Sequence, residues 1–321
     1  MYRISIIVPV YNTGEYLRDC LDSIVNQTFD DMEVIIIDDA SSDNSLDILK
    51  EYASKYPQIK LYHNEENKGQ SVTRNLGLSI ATGDYIGFVD SDDCIEPTMY
   101  ETMYQGIMDS NYPDVVTTGI KFIDGDIEPD PNFKARWNGR LIDLNKDPMR
   151  VFWESPSCCN KLFKRELIGD YRFLEDCTWE DVAFTYSVLM KADNILTFPD
   201  NFYLYRRDIN KGVSSKGYNP NSPLQDIFRV SDEIERQAVK NNKQELYKEV
   251  IPLLQTSVCL QRLPEINSWE TEDKEEFMID FYQHVCGKYG DPHDLDDGLL
   301  SSKADLILMD QVSSNNKNKS L

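Results

Sequence analysis

The chain has 321 residues, 40% hydrophobic and 28% charged, which suits one large globular domain or two smaller ones and argues against wholesale disorder. A formal net charge of −23 argues against a nucleic-acid partner and against a broad grip on anionic lipid, since both need a surplus of Lys and Arg. No apolar run is long enough for a transmembrane helix, no signal peptide is evident, and the seven irregularly spaced cysteines and three scattered histidines signal neither a disulfide framework nor a zinc site. A cytoplasmic protein with reduced thiols is expected, in which any metal is held mainly by oxygen.

The first half alternates strand and helix signals. "ISIIVPV" (4–10) is a continuous β-branched run, as in a strand buried on both faces. Tyr16, Leu17, Cys20, Leu21, Ile24 and Val25 then recur at helical spacing. "EVIIID" (33–38) predicts a second buried strand, and "SSDNSLDILKEYASKY" a helix that opens on capping residues. "IKLYH" (59–63) predicts a third strand, 70–81 a helix, and "DYIGFVD" (84–90) a fourth strand. Strand and helix in alternation imply right-handed crossovers and a mostly parallel sheet, whose ligands bind at the carboxyl ends of the strands. Each of these strands ends in polar residues: "YN", "DDASSD", "HNEEN" and "DSDD".

Beyond Asp114 the pattern loosens. "DVVTTGI" reads as a strand, 122–145 as a long exposed loop, and "CCNKLFKRELI" as a short strand running into a helix. "WEDVAFTYSVLMKA" reads as a helix with Val182, Phe184, Tyr186 and Leu189 near one side, and "ILTFP" and "FYLYRR" as two short strands. After about residue 211 four amphipathic helical segments follow. The expected organisation is a catalytic domain over 1–212, a helical region over 213–312 for acceptor docking or oligomerisation, and a disordered tail over 313–321.

The glycine fingerprints of dinucleotide and nucleoside triphosphate binders are missing. "DSDDCIEPTMYE" has acids at the first, third and twelfth positions of a calcium loop, but Ile95 stands where that loop needs Gly. Two readings of "DSDD" remain from its residues alone. One is a solvated acidic turn. The other is a Mg²⁺ or Mn²⁺ site on Asp90 and Asp92 that leaves coordination positions for substrate phosphates.

Six stretches, in order and in spacing, carry a resemblance: "SIIVPVYN", "CLDSIVNQTF", "IIIDDASSDNS", "NKGQSVTRNLGLSIATGDYIGFVDSDD", "CNKLFKRELI" and "WEDVAF". Over roughly its first 210 residues the sequence resembles the family 2 glycosyltransferases of GT-A fold, and within them bacterial cell-surface polymer enzymes such as the wall teichoic acid glycosyltransferases. The resemblance implies an α/β GT-A domain with a mostly parallel central sheet and a C-terminal α-helical region. It also implies an inverting, metal-dependent transfer from a UDP-sugar to a hydroxyl of a glycan, teichoic acid or glycoprotein. Pro9 and Tyr11 would line the uracil pocket, Asp39 and Asn67 would bond the base, and Arg74 would lie near the diphosphate. Asp90 would touch ribose and metal, Asp92 would be the main ligand of Mn²⁺ or Mg²⁺, and Asp181 would be the general base.

Glu180, Asp93, Asn160, Lys161 and Trp179 are candidate sugar or acceptor contacts, Trp153 a candidate stacking platform, and Arg206, Arg207 and Ser214 candidates for a loop over the diphosphate. The bland readings stand beside these: a strand-end Tyr11, a turn-forming Asn67, a surface ion pair for Arg74, a capped helix at "WEDVAF", and core packing around Leu162 and Phe163. Expected too are peripheral work at the inner face of the membrane and a homo-oligomer through the C-terminal helices. The rival functions are an inactive scaffold that keeps the fold, and a nucleotidyltransferase, for which the basic glycine-rich loop is lacking.

Overall fold

The structure is a computed structural model and describes residues 2–130, 139–207 and 225–254. It separates into two compact units, one of 1–147 with 155–216, the other of 148–154 with 217–321. The domain boundary expected near residue 212, Ser214, the later C-terminal helices and the tail lie outside the described residues.

In the first unit the apolar runs become strands. β1 (Ile4–Val10) and β2 (Met32–Asp38) are buried along their whole lengths. β3 (Ile59–His63), with an exposed end, closes one edge of the sheet, and β4 (Tyr85–Phe88) lies on the other side of β1. These strands run parallel, in the order β3-β2-β1-β4. They are connected through α1 (Leu17–Val25), α2 (Ser45–Lys55) and α3 (Gln70–Ile80). The chain builds outward from β1 through β2 to β3, then returns to lay β4 on β1's free side. The place where strand order reverses is therefore between β1 and β4, where α/β sheets form their binding crevice.

Pro9 fits this plan. Ile7 accepts a hydrogen bond from Val89 on the β4 side, so Pro9, two residues on, turns its nitrogen the same way. The β1–β4 ladder has ended by then, with Ile7 paired to Phe88, so the missing N–H leaves no gap.

The rest of the sheet is mixed. After β5 (Cys94–Ile95), α4 (Met99–Asp109) and β6 (Val115–Asp124) come β7 (Arg140–Asp143), β8 (Lys161–Lys164) and β9 (Asn194–Arg207). β8 joins the two halves, antiparallel to both β4 and β6, while β6 and β9 pair in parallel. The sequence reading needs three changes here. β6 runs into the segment read as a loop, and β7 forms inside that segment by pairing with β9. β5 and the helix α4 carry no sequence expectation; β5, at two residues, has no periodicity to read. The two short strands expected near the end of this unit are one strand whose ladder to β6 slips between Thr197 and Asn201, around Pro199.

α5 (Arg165–Ile168) follows β8, and α6 (Glu180–Leu189) follows a loop. Every residue of α6 from Val182 to Leu189 is buried, so its apolar positions show no single stripe. Phe184 sits among Phe88, Phe163, Phe173 and Tyr171, with a ring centroid 3.9 Å from that of Phe173. That aromatic packing fixes the start of α6 relative to the end of β4.

The second unit includes a 3-10 turn, Pro148–Trp153, and α7 (Gln225–Lys240). Ile227, Val230, Ile234 and Ala238 form its buried stripe, as the amphipathic pattern predicts. No helix among the described residues is long and apolar enough to cross a membrane.

Candidate active site

The crevice is built from loops that follow the parallel strands. After β1, Tyr11 is 48% exposed, an aromatic face open at the strand end. Asn12 has a left-handed backbone with φ 53°, and its side-chain oxygen accepts N–H bonds from Ser42 at 2.7 Å and Asp43 at 3.3 Å. That ties the β1 loop to the β2 loop. Ala40 is also left-handed, at φ 59°, where Gly would carry no Cβ cost, so this loop holds strain beside the site.

The two acids ending β2 differ in their partners. Asp39 braces the β3–α3 loop: Oδ1 accepts from Asn64 Nδ2 at 2.7 Å and Lys68 N–H at 3.0 Å, and Oδ2 from Gly69 N–H at 2.8 Å. Asp38 is buried and accepts from His63 Nδ1 at 2.8 Å, while its Oδ1 has no partner among the described residues. Asn67 is exposed, and its side-chain oxygen accepts from Gly69 N–H at 3.0 Å, the local turn that its residue type favours.

The acidic stretch after β4 is a tight turn, closed by the Asp93 N–H on the Asp90 carbonyl at 3.0 Å. Thr13 Oγ1 donates to Ser91 Oγ at 2.9 Å, linking the turn to the β1 loop across the switch point. Tyr203 on β9 supports it from beneath: its hydroxyl accepts the Asp90 N–H at 3.2 Å and donates to Asp93 Oδ2 at 2.7 Å. Asp93 Oδ1 accepts the Arg206 N–H at 2.8 Å. Asp93 is 1% exposed, so it is a strut of the turn and not the sugar contact that its position suggested.

Asp90 and Asp92 remain at the surface of the turn. Asp90 Oδ1 accepts from Arg74 Nη2 at 2.8 Å and Gln70 Nε2 at 3.2 Å. No other side chain hydrogen-bonds the Asp92 carboxylate among the described residues; burial, with Asp90 beside it, pushes the carboxyl up to about 6 against the pull of its own backbone N–H and Arg206. No group of three His, Cys, Asp or Glu able to hold a metal occurs among the described residues. A pair of hard carboxylates, one of them with no side-chain donor on it among the described residues, still fits Mg²⁺ or Mn²⁺, which commonly takes one or two protein carboxylates and completes its coordination with phosphate and water.

The second acid site opens α6. Asp181 is half-buried, and its Oδ1 accepts the Val182 N–H at 2.8 Å. Glu180 accepts from Arg74 Nη1 at 2.8 Å. Burial pushes Glu180 up; Arg74 opposes this, and Asp181 and Asp90 reinforce it. The two acid sites thus meet at one guanidinium.

Several other candidates have structural work. Lys161 is buried and donates to Ser155 O, Ser157 O and Asn160 Oδ1. Asn160 in turn donates to Thr117 Oγ1 and Thr118 O, so both residues brace the β6–β8 contact and neither is presented to an acceptor. Trp179 is buried just before α6, with little ring face for a sugar, and Trp153 belongs to the second unit. Arg206 donates to Asp92 O at 2.9 Å and to Gly125 O at 2.7 Å, and lies 4.4 Å from the Tyr16 ring, so it fixes the acidic turn and is not held for a diphosphate. Arg207 stacks over Phe122 at 4.5 Å. Sequence reasoning missed Gln70 and Tyr203. A glutamine at a helix start and a tyrosine in a strand carry no signal until the fold brings them to the turn.

A parallel β3-β2-β1-β4 core, with acids at its switch point and a second acid pair opening α6, defines an α/β transferase of GT-A fold. The chain belongs to the family described as Glycosyl transferase family 2, whose model matches residues 5–213. It is 33% identical to the glycosyltransferase GlyG of Streptococcus pneumoniae over 216 residues, 64% of this chain and 70% of that one. It is 36% identical to the poly(ribitol-phosphate) beta-glucosyltransferase of Bacillus spizizenii over 214 residues, 64% of this chain but 33% of that longer protein. The crystal structure of S. aureus TarS 1-349 in complex with UDP-GlcNAc superposes with a TM-score of 0.74 at 22% identity, covering 99% of this chain and 92% of that one, a likeness of fold.

Proposed function

We propose that this glycosyltransferase moves a sugar, with inversion and with a divalent cation, from a UDP-sugar to a hydroxyl of a cell-surface glycan, teichoic acid or glycoprotein. The observation that carries the reading is the pairing of two acid sites, Asp90 with Asp92 and Glu180 with Asp181, across one buried arginine. In-line displacement at an anomeric carbon needs a charge-neutralising site behind the leaving diphosphate and a base on the opposite face. The UDP-GlcNAc held by TarS supports a UDP-sugar donor, and the named activity of the B. spizizenii relative supports a polymer acceptor. The acids argue against a scaffold without activity, and a nucleotidyltransferase lacks support in this family.

In this reading Tyr11 stacks on the base while Asp39 and Asn67 meet its edge. Asp92 and Asp90 would hold Mn²⁺ or Mg²⁺, which supplies neutralising charge to the leaving diphosphate. Asp181 takes the proton of the acceptor hydroxyl as that oxygen attacks, and Glu180 shapes the sugar pocket beside it.

Calorimetry of UDP binding with and without Mn²⁺ tests the cation site. Asp92→Ala is expected to weaken the Mn²⁺-dependent part by about a hundredfold, because even partners outside the coordination sphere are worth about 10–100-fold in metal affinity. Equal UDP affinity in the variant and the parent would remove Asp92 from the site. A panel of UDP-glucose, UDP-galactose and their N-acetyl forms, read by UDP release, identifies the donor.

A further inference from the structure

Arg74 lies in the second turn of α3, 2% exposed, with its guanidinium carbon 5.3 Å from the Phe173 ring centroid. A diphosphate clamp presents its terminal nitrogens to the ligand. Here both are committed to protein: Nη1 to Glu180 and Nη2 to Asp90, each at 2.8 Å. The next residue holds the same neighbouring segment. Asn75 Nδ2 donates to the Phe173 carbonyl at 3.0 Å, and Asn75 Oδ1 accepts the Phe173 N–H at 2.8 Å. Two consecutive side chains of α3 therefore fasten the stretch that leads into α6, one through its backbone at Phe173 and one through its acid at Glu180.

We propose that Arg74, with Asn75 beside it, is a positioning residue that sets the reach between the donor-side acid Asp90 and the acceptor-side start of α6, and does not grip the donor. The inference rests on the reading of those two acid sites given above. Arginine suits the task because its planar fork serves two separate carboxylates at once, whereas a lysine ammonium is a single point charge. The segment from 169 to 179 has little regular structure of its own, so these ties, together with the aromatic packing around Phe184, help to set the reach from Asp90 to Asp181. A displacement of about 1 Å between reacting groups costs on the order of a hundredfold in rate.

The test compares Arg74→Lys and Asn75→Ala in the full chain. UDP binding is measured by calorimetry with Mn²⁺, and turnover by UDP release from the UDP-sugar that the parent uses best. A positioning role leaves UDP affinity and donor KM within about threefold of the parent, while kcat falls about a hundredfold for Arg74→Lys and about tenfold for Asn75→Ala. A loss of UDP affinity of about tenfold or more with kcat near the parent value would make Arg74 a diphosphate ligand and overturn the proposal. Unchanged kcat in both variants would overturn it equally. If Arg74→Lys fails to fold, Asn75→Ala carries the same two readouts. If the parent binds no UDP, the donor reading fails separately, and a cycle of thermal melts over Asn75→Ala and Glu180→Gln decides the positioning claim: coupled shifts support it and additive shifts sink it.

Discussion

Asp181→Asn is expected to lower sugar transfer by about a thousandfold while leaving UDP affinity within about threefold of the parent. The substitution is nearly isosteric. The asparagine oxygen still accepts the Val182 N–H that Asp181 Oδ1 holds at 2.8 Å, so the first turn of α6 keeps its local bond. What is lost is a group able to take a proton from the acceptor hydroxyl. In the proposed reading UDP meets Tyr11, Asp39, Asn67 and the acidic turn, all on loops that follow the parallel strands and none of them changed in the variant, so UDP has no reason to register the change. Loss of turnover together with loss of UDP affinity would mean that the variant disturbs the site at large. Turnover near the parent rate would move the base elsewhere, with Glu180 the next group to test. Glu180→Gln supplies a comparison: it keeps an oxygen for Arg74 but removes a charge, and its effect on kcat is expected to be smaller than that of Asp181→Asn.

The parallel half of the fold was legible because each strand is a buried β-branched run and each helix an amphipathic stripe, so local pattern and global placement agree. β1 and β3 match their expected bounds, and β2, α3 and β4 differ only at their ends. Legibility failed where pairing, and not composition, makes the element. β5 and β7 are short strands that exist because β9 runs beside them, and β9 carries a proline where its ladder slips. Within the candidate site, residue type and spacing picked out the acids. They did not separate acids that face a ligand from acids that brace a loop, because exposure is a tertiary property. Asp93 and Asp92 are adjacent, yet one is enclosed by Tyr203 and Arg206 while the other has no side-chain partner among the described residues. The same holds for cations: Arg74, Arg206 and Lys161 all looked available in sequence, and all three are buried and bonded to protein oxygens.

Glu33→Ala is expected to destabilise the fold by about 3–5 kcal/mol, the largest stability effect foreseen for one side chain here. Glu33 is the second residue of β2 and its side chain is fully buried. Oε1 accepts from Ser5 Oγ at 2.6 Å and from the Thr82 N–H and hydroxyl at 2.7 Å each, while Oε2 accepts from Lys60 Nζ at 2.5 Å. One carboxylate thus fastens β1, β2, β3 and the loop before β4 at their amino ends. Truncation leaves several donors unpaired, at about 1–3 kcal/mol for each one kept from water; Lys60 reaches solvent and adds little. Burial alone would raise the Glu33 carboxyl, but bonds from Lys60, Ser5 and Thr82 outweigh it and hold the group down to about 2. The folded value lies below the unfolded one, so this stabilisation is fully present above about pH 4.5 and is lost as pH falls toward 2. Urea midpoints should therefore separate parent and variant widely at pH 7 and progressively less at pH 4 and below. A gap that stays constant with pH would show that packing, and not the ionised carboxylate, carries the effect. Asp38 ends the same strand and Asp39 follows it, roughly 17–20 Å away at the usual rise per residue. UDP affinity per folded molecule should accordingly match the parent, since one end of β2 secures the sheet and the other serves the crevice.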